Sequence, residues 1–382
     1  MLTVLIFVIL LGLLVFVHEL GHFLTAKWSG IRADEFGFGF PPRIFGVVKD
    51  SVTGKYRIIW GNRQDESTNT VYSLNWIPLG GFVKIAGEDG SDKTDPGSFA
   101  NKSAFVRIKV LAAGVVMNFL FAWFILSVVF TIGLPQSIDP GERGNYTNVK
   151  IQILEVIKGT PAESMGLQMG DEVLAIDGQR ITTLDMVKDR INANKGKRIS
   201  VEINRFGKPL TLEGTPRETY PEKEGSLGIA FSETAVVSYP WYESIYRGGL
   251  TTYNITVAIF EAFGKMIGSI FGAGKTALDV TGPVGIVYLT KQMSDLGLPY
   301  LLQFAALLSI NLGIINILPI PALDGGRILF ILIEKIKGSP VSQKTEGMIH
   351  QIGFVLLLLL MLFVTIRDFS QFQILDKIRH IF

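Results

Sequence analysis

The sequence has no cysteine, which excludes disulfides, iron–sulfur clusters, thiol nucleophiles and thiolate zinc sites and leaves any metal to His, Asp and Glu. Histidine is scarce too, with four in 382 residues, so two at a chemically useful spacing carry weight. Charge is thin: 18% of residues are charged, against about a quarter in ordinary globular chains. The formal net charge of +2 is too small for an electrostatic nucleic-acid footprint, so no nucleic-acid partner is expected. No low-complexity tract or long block of like charge is present, which excludes extended disorder. Apolar length is what the chain has instead. Hydrophobic residues make up 48% and the mean hydropathy is +0.36, values that favour a membrane protein with a sizeable polar insert and room for two or three domains.

Four stretches are candidates to cross a bilayer, which takes about 20 apolar residues. They are 2–26, interrupted only by His18, Glu19 and His22; 110–134, without a formal charge; 298–323, broken by Asn311, Asn316, Pro319 and Pro321; and the shorter 352–366, closed by Arg367-Asp368. The first lacks the basic leader and small-residue cleavage site of a signal peptide, so it is expected to stay on the protein. Lys27, Arg32, Lys102, Arg107, Lys109, Arg327, Lys335 and Lys337 gather at one set of ends. By the positive-inside bias this places 27–109 in the cytoplasm and both termini and 135–297 outside, with Arg367, Lys377 and Arg379 running counter.

The expected architecture is an α-helical polytopic membrane protein of four transmembrane helices, with a cytoplasmic, membrane-associated β-hairpin region and one extracytoplasmic PDZ-like αβ domain. In order, residues 1–27 form the first helix, 28–105 a β-rich, partly re-entrant loop, and 106–134 the second helix. Residues 148–232 form the αβ module, 239–272 an amphipathic helical region, 298–335 the third helix and 350–367 the fourth. Within the loop, Tyr56-Arg57-Ile58-Ile59-Trp60 and Gly81-Phe82-Val83-Lys84-Ile85 are strand-like. The stretch Trp76-Ile77-Pro78-Leu79-Gly80-Gly81-Phe82-Val83 is apolar enough to dip into a membrane, provided protein or a wet cavity covers its backbone. In the αβ module, Pro161 opens a short helix, Thr183 caps a second, and Phe206-Gly207-Lys208 joins two strands. Such a module serves as a spacer or as a groove that takes a peptide as an added strand.

His18-Glu19-Leu20-Gly21-His22 sets two imidazoles one helical turn apart on one face, the spacing that lets both bind one metal ion while Glu19 reaches a water on it as general base. An exposed helix with two spare histidines is the plain alternative, but ionisable groups inside an apolar span are costly and point to function. Hydrolytic zinc takes three protein ligands and leaves one position open. His350 and His380 have no helical relation to the pair, and Asp324 is the carboxylate at the edge of another apolar run. Asp324 also reads as part of a Leu323-Asp324-Gly325-Gly326 turn, or as the cap of a helix beginning at Arg327. Two His and one carboxylate also suit non-haem iron, but an oxygenase has no need of a base at Glu19. Pro319 and Pro321 break the helix before Asp324, free its backbone groups and suggest a place for an extended peptide. Asn118, polar inside the second stretch, reads equally as an interhelical hydrogen-bonding residue or as a neighbour of the site.

With these residues the chain resembles the bacterial site-2 proteases, zinc-dependent intramembrane enzymes of the RseP-like kind in peptidase family M50. The resemblance runs through His18–His22, Phe36-Gly37-Phe38-Gly39-Phe40, Trp76-Ile77-Pro78-Leu79-Gly80-Gly81, the Gly114…Asn118 pair, a PDZ-like module, Thr281-Gly282-Pro283-Val284-Gly285, and Asn311 through Asn316-Ile317-Leu318-Pro319-Ile320-Pro321-Ala322-Leu323-Asp324-Gly325-Gly326. It implies Zn2+ bound by His18, His22 and Asp324, Glu19 as catalytic base, and Asn316, Pro319 and Pro321 holding the substrate strand. It also implies cleavage within single-span substrates in the lipid bilayer, such as an anti-sigma factor or a remnant signal peptide. The setting implied is the bacterial inner membrane, with the active site near the cytoplasmic side and the PDZ-like module outside. Ser226-Leu227-Gly228-Ile229 resembles a carboxylate-binding loop placed late by circular permutation. Two departures stand out: Val115 where the family usually has proline, and one PDZ-like module where some members have two. A membrane scaffold with a structural metal is the competing class, and Glu19 separates the two, since a structural site gains nothing from it.

Overall fold

Hydrocarbon offers no partner to a bare peptide group, so an apolar run of membrane length must satisfy its hydrogen bonds internally, as a helix. The computed structural model describes residues 2–51, 53–63, 69–90, 92–137, 145–205, 207–221, 224–271 and 282–371. Phe206, Thr281, Lys377, Arg379 and His380, which enter the sequence reading, lie outside them. Among the described residues four helices are long and apolar enough to cross a membrane: α1 (Leu2–Trp28), α2 (Ala104–Ile132), α7 (Leu298–Ile317) and α9 (Gln343–Gln371). Two compact units divide the chain, one of residues 1–126, 248–294 and 302–382, the other of 127–247 and 295–301.

In the first unit α1 buries Leu14, Val17, His18, Gly21, His22 and Thr25, one face at helical spacing, and leaves Val4, Leu5, Ile9 and Leu13 exposed. Between α1 and α2 run β1 (Ala33–Lys49), β2 (Tyr56–Trp60) and β3 (Val71–Ile85), in sheet order β2-β1-β3. The two long strands double back and interleave. Phe36 has Val83 as partner on one side and Tyr72 on the other, while Gly46 and Val47 return to partner Ser73 and Tyr72. Glycine and proline make the bends, at Gly39 and Pro41-Pro42 in β1 and at Pro78 and Gly80 in β3. Asn75, buried between them, donates its amide to the carbonyl of Gly39 at 2.8 Å. The bend of β3 lies against the middle turns of α1: a β-carbon built on Gly80 would touch Val15, and one on Gly81 would touch Phe16. Phe16 packs on Phe36 and Phe38, and Phe23 stacks on Phe36 with ring centroids 4.5 Å apart.

The third apolar stretch is two helices rather than one. α7 ends at Ile317, residues 318–323 are non-helical, and α8 (Asp324–Lys337) follows. The reason is local: Pro319 and Pro321 cannot donate to a helix, and their rings clash with the preceding turn. α8 begins three residues earlier than a start at Arg327, and its N-cap is Leu323, so Asp324 is its first residue and does not cap it. Between 271 and α7 lies a further helix, α6 (Pro283–Leu296), too short and mixed in polarity to stand out in the sequence. Asp368, buried near the end of α9, accepts from the amides of Gly282 and Gly285 at 3.1 and 2.8 Å and so satisfies the N-terminus of α6 from another helix.

The second unit is the αβ module. Its sheet has the order β4-β10-β5-β6-β8-β9, with β7 (Gln179–Arg180) paired to β6. These strands are β4 (Leu134–Ser137), β5 (Asn145–Val156), β6 (Glu172–Ile176), β8 (Ile199–Arg205), β9 (Lys208–Gly214) and β10 (Ile229–Ser238). The sheet is wider than the 148–232 segment because β4 and the end of β10 extend it. Helices α3 (Pro161–Met165) and α4 (Leu184–Ala193) close it over Ile153, Ile176, Val187, Ile199 and Ile203, and Thr183 caps α4 through the amide of Met186. Inside, Asp171 is 1% exposed and takes a two-pronged ion pair from Arg205 at 2.7 Å on each oxygen. This pair holds the Arg205 guanidinium even further above its ordinary range. β4 pairs only with Thr234 to Val237 of β10, so among the described residues Ile229 to Glu233 have a strand neighbour on the β5 side alone. The amphipathic helix α5 (Trp241–Phe271) begins in this unit and belongs to the first from residue 248 on.

Candidate metal centre

On a helix, positions i and i+4 lie one above the other, so α1 delivers both imidazoles to one point. Their ring centroids are 4.7 Å apart and nearly perpendicular, and their Nε2 atoms stand 3.1 Å apart. The break after α7 brings in the carboxylate. Asp324 Oδ2 is 3.1 Å from His18 Nε2 and 3.3 Å from His22 Nε2, and the three ligand atoms lie within 4.8 Å of one another. Glu19, half-buried on the same helix, interacts electrostatically with His18, His22, Asp324 and a second carboxylate, Glu88.

Close backbone approach holds Asp324 where it is. A β-carbon on Gly325 would stand 2.2 Å from the carbonyl oxygens of Ile317 and Leu318, and one on Gly326 would stand 2.3 Å from that of Ile320. Only glycine lets the first turn of α8 pack on the backbone of the break. Within the break Ala322 has φ of 76°, a left-handed conformation costly for a residue with a side chain. Its amide donates to Nδ1 of His350 at 2.8 Å, so α9 secures the strained residue. Pro321 packs against Gly353 of the same helix. Asn316 sits in the last turn of α7, half-buried, and Pro319 and Pro321 lie in the break itself, all upstream of Asp324 on the segment that delivers it.

From the other side α2 supports the imidazoles at three positions spaced by four. The carbonyl of Val110 lies 2.9 Å from Nδ1 of His22. Gly114 faces both rings. Asn118, fully buried, has its amide nitrogen 3.1 Å from Nδ1 of His18, while its Oδ1 is buried without a partner. The sequence marks Gly114 and Asn118 as a pair but gives no sign of the Val110 carbonyl, since every residue has one. It also gives no sign of Glu88 or of the His350 contact.

Two imidazoles and a carboxylate make a mixed N/O donor set that fits zinc with one coordination position free, and the buried Asn118 oxygen beside His18 has no partner. Such a set, with a carboxylate beside it, is of the kind that suits a hydrolytic metal centre. Comparison with known sequences takes the class to a family: residues 6–360 match "Peptidase family M50". The chain belongs to that family and is a metalloendopeptidase. Among its relatives are zinc metalloprotease RasP of Geobacillus kaustophilus, 32% identical over 96% of this chain and 97% of that one, and regulator of sigma-W protease RasP of Bacillus subtilis, 30% identical over 97% and 98%. Regulator of sigma-E protease RseP of Escherichia coli is 30% identical over 96% and 98%. Among solved structures, the PDZ domain of an SdrC-like protein from Listeria monocytogenes is similar to part of the chain, with 22% identity, TM-score 0.20, and coverage of 23% of this chain and 92% of that one.

Proposed function

We propose that the protein is a zinc-dependent intramembrane endopeptidase that cleaves peptide bonds within transmembrane segments of single-span substrates. Anti-sigma factors already trimmed by another protease, and remnant signal peptides, are the substrate class. The observation that carries this reading is the meeting of His18, His22 and Asp324 beside Glu19, on α1 and on α8, which starts at the break after α7. The ligands are His18, His22 and Asp324, and zinc bound there supplies a Lewis acid for the scissile carbonyl and for the attacking water. Glu19 takes the proton from that water on a carboxylate oxygen and passes it to the leaving amine. Asn316, Pro319 and Pro321 hold the substrate as an extended strand along the break, because a helical peptide bond is already hydrogen-bonded and shielded from attack. The bend of β3 enters the membrane beside α1, which covers its backbone.

The setting is the bacterial inner membrane, with residues 27–109 and the centre toward the cytoplasm and the αβ module outside. That module screens substrates by size or by their free end, and the stretch from Ile229 to Glu233, singly paired among the described residues, favours the addition of a peptide strand.

Replacing Glu19 with Gln tests the reading. The variant is expected to keep zinc, by elemental analysis, and to lose at least about 100-fold of its rate on a single-span substrate in bilayers, followed by mass spectrometry. A variant that cuts at the parent rate removes Glu19 from the base role, whereas a parent protein that holds zinc and cuts no substrate favours a scaffold with a structural metal.

A further inference from the structure

An imidazole binds a metal through the nitrogen that carries no proton, so ligation at Nε2 requires the proton on Nδ1 and an acceptor for it. For His22 the acceptor is fixed. The Val110 carbonyl, 2.9 Å from Nδ1, can only accept, so the Nε2 lone pair is left for the metal. For His18 the partner is the Asn118 amide, which has two faces. As placed, its nitrogen lies 3.1 Å from Nδ1, and its oxygen is buried with no partner. This arrangement matches a His18 protonated on Nε2, which donates to Asp324 Oδ2 at 3.1 Å. A half-turn about the last side-chain bond exchanges amide oxygen and nitrogen without changing shape. It brings the orphaned oxygen to Nδ1, where it accepts.

The amide has little freedom for anything else. Asn118 is 0% exposed, and the β-carbon that Gly313 lacks would stand 3.5 Å from its own. The hydroxyl of Ser309 ties the backbone carbonyl of Asn118 to α7 at 2.9 Å. We propose that Asn118 is a positioning residue of the metal centre: its amide carbonyl accepts the Nδ1–H of His18, which keeps the Nε2 lone pair of that ring on the metal. The proposal rests on His18 being a zinc ligand.

The test uses the full-length protein in detergent or bilayer discs, with zinc affinity measured by competition against a chelator. Asn118→Leu keeps the branched outline, in a larger side chain, and removes the acceptor, and is expected to weaken zinc binding about 10- to 100-fold. Asn118→Asp keeps an acceptor at the same place and is expected to stay within a few-fold of the parent. A residue that only joins two helices gives no such rescue. The unaltered protein supplies a second readout, independent of whether either variant folds: 15N-histidine spectra of the zinc-loaded form should show His18 protonated on Nδ1. Zinc affinity unchanged in Asn118→Leu, or His18 protonated on Nε2 in the loaded protein, overturns the proposal. His18→Ala separates the two levels. If it loses zinc while Asn118→Leu does not, His18 remains a ligand and only the positioning role falls. If it retains zinc at parent affinity, the ligand reading falls first.

Discussion

A β-carbon on Gly114 would stand 2.4 Å from Nε2 of His22 and 2.8 Å from Cε1 of His18. The second helix therefore touches both imidazoles through the one residue that has no side chain to offer. Gly114→Ala should push α2 off α1 or turn the rings from Asp324, at a cost of roughly 1–3 kcal/mol. Zinc stoichiometry and cleavage should fall together. Full zinc and normal turnover in this variant would show that the rings yield more easily than the packing implies.

Asp324→Asn distinguishes a ligand from a local structural group. Since Leu323 is the N-cap of α8, loss of a cap is no longer an explanation for any effect at 324. The substitution should lower zinc affinity by tenfold or more and activity with it, while the protein stays folded by near-ultraviolet circular dichroism. Normal zinc occupancy at limiting metal would remove Asp324 from the ligand set.

Replacing residues 134–238 with a flexible linker should leave zinc content and the cleavage of short substrates intact. Substrates with bulky outer domains, refused by the parent, should then be cut. The comparison is a pair of substrates that differ only in the outer domain. Loss of zinc or of all cleavage would place the module in the chemistry rather than in selection.

Arg205→Met should destabilise the αβ module by about 3–5 kcal/mol, because it strands the buried Asp171 carboxylate. Limited proteolysis of the full-length protein should then cut between 145 and 238 first. The double replacement Asp171→Asn, Arg205→Met should recover part of the loss, since it is the uncompensated charge that costs most. If the single and double variants are equally labile, shape rather than charge holds that corner.

Much of this was legible before any coordinates. Apolar length located α1, α2, α7 and α9, because in a bilayer that property alone forces a helix. The one-turn spacing of His18 and His22 is a property of the helix and survives into the structure unchanged. Pro319 and Pro321 announced the break, yet only the fold shows that Gly325 and Gly326 let α8 start on the very carbonyls the break exposes. The interleaving of β1 and β3 could not be read, because bends at Gly39, Pro41-Pro42 and Gly80 erase the alternation that sets strand register. The partners of the imidazoles were hidden for a different reason. A backbone carbonyl at Val110 has no signature in the sequence, and Asn118 gains meaning only once His18 lies beside it.

The contact between His18 and Asp324 joins residues 306 positions apart. At ordinary synthesis rates of about 5–20 residues per second, some 15–60 seconds pass between the appearance of the first and of the second. Throughout that interval the growing chain carries both imidazoles and the glutamate but lacks the carboxylate that meets them. Assembly of the centre is thus tied to the arrival of the last part of the chain, and an unfinished copy stalled before residue 324 has only two of the three groups.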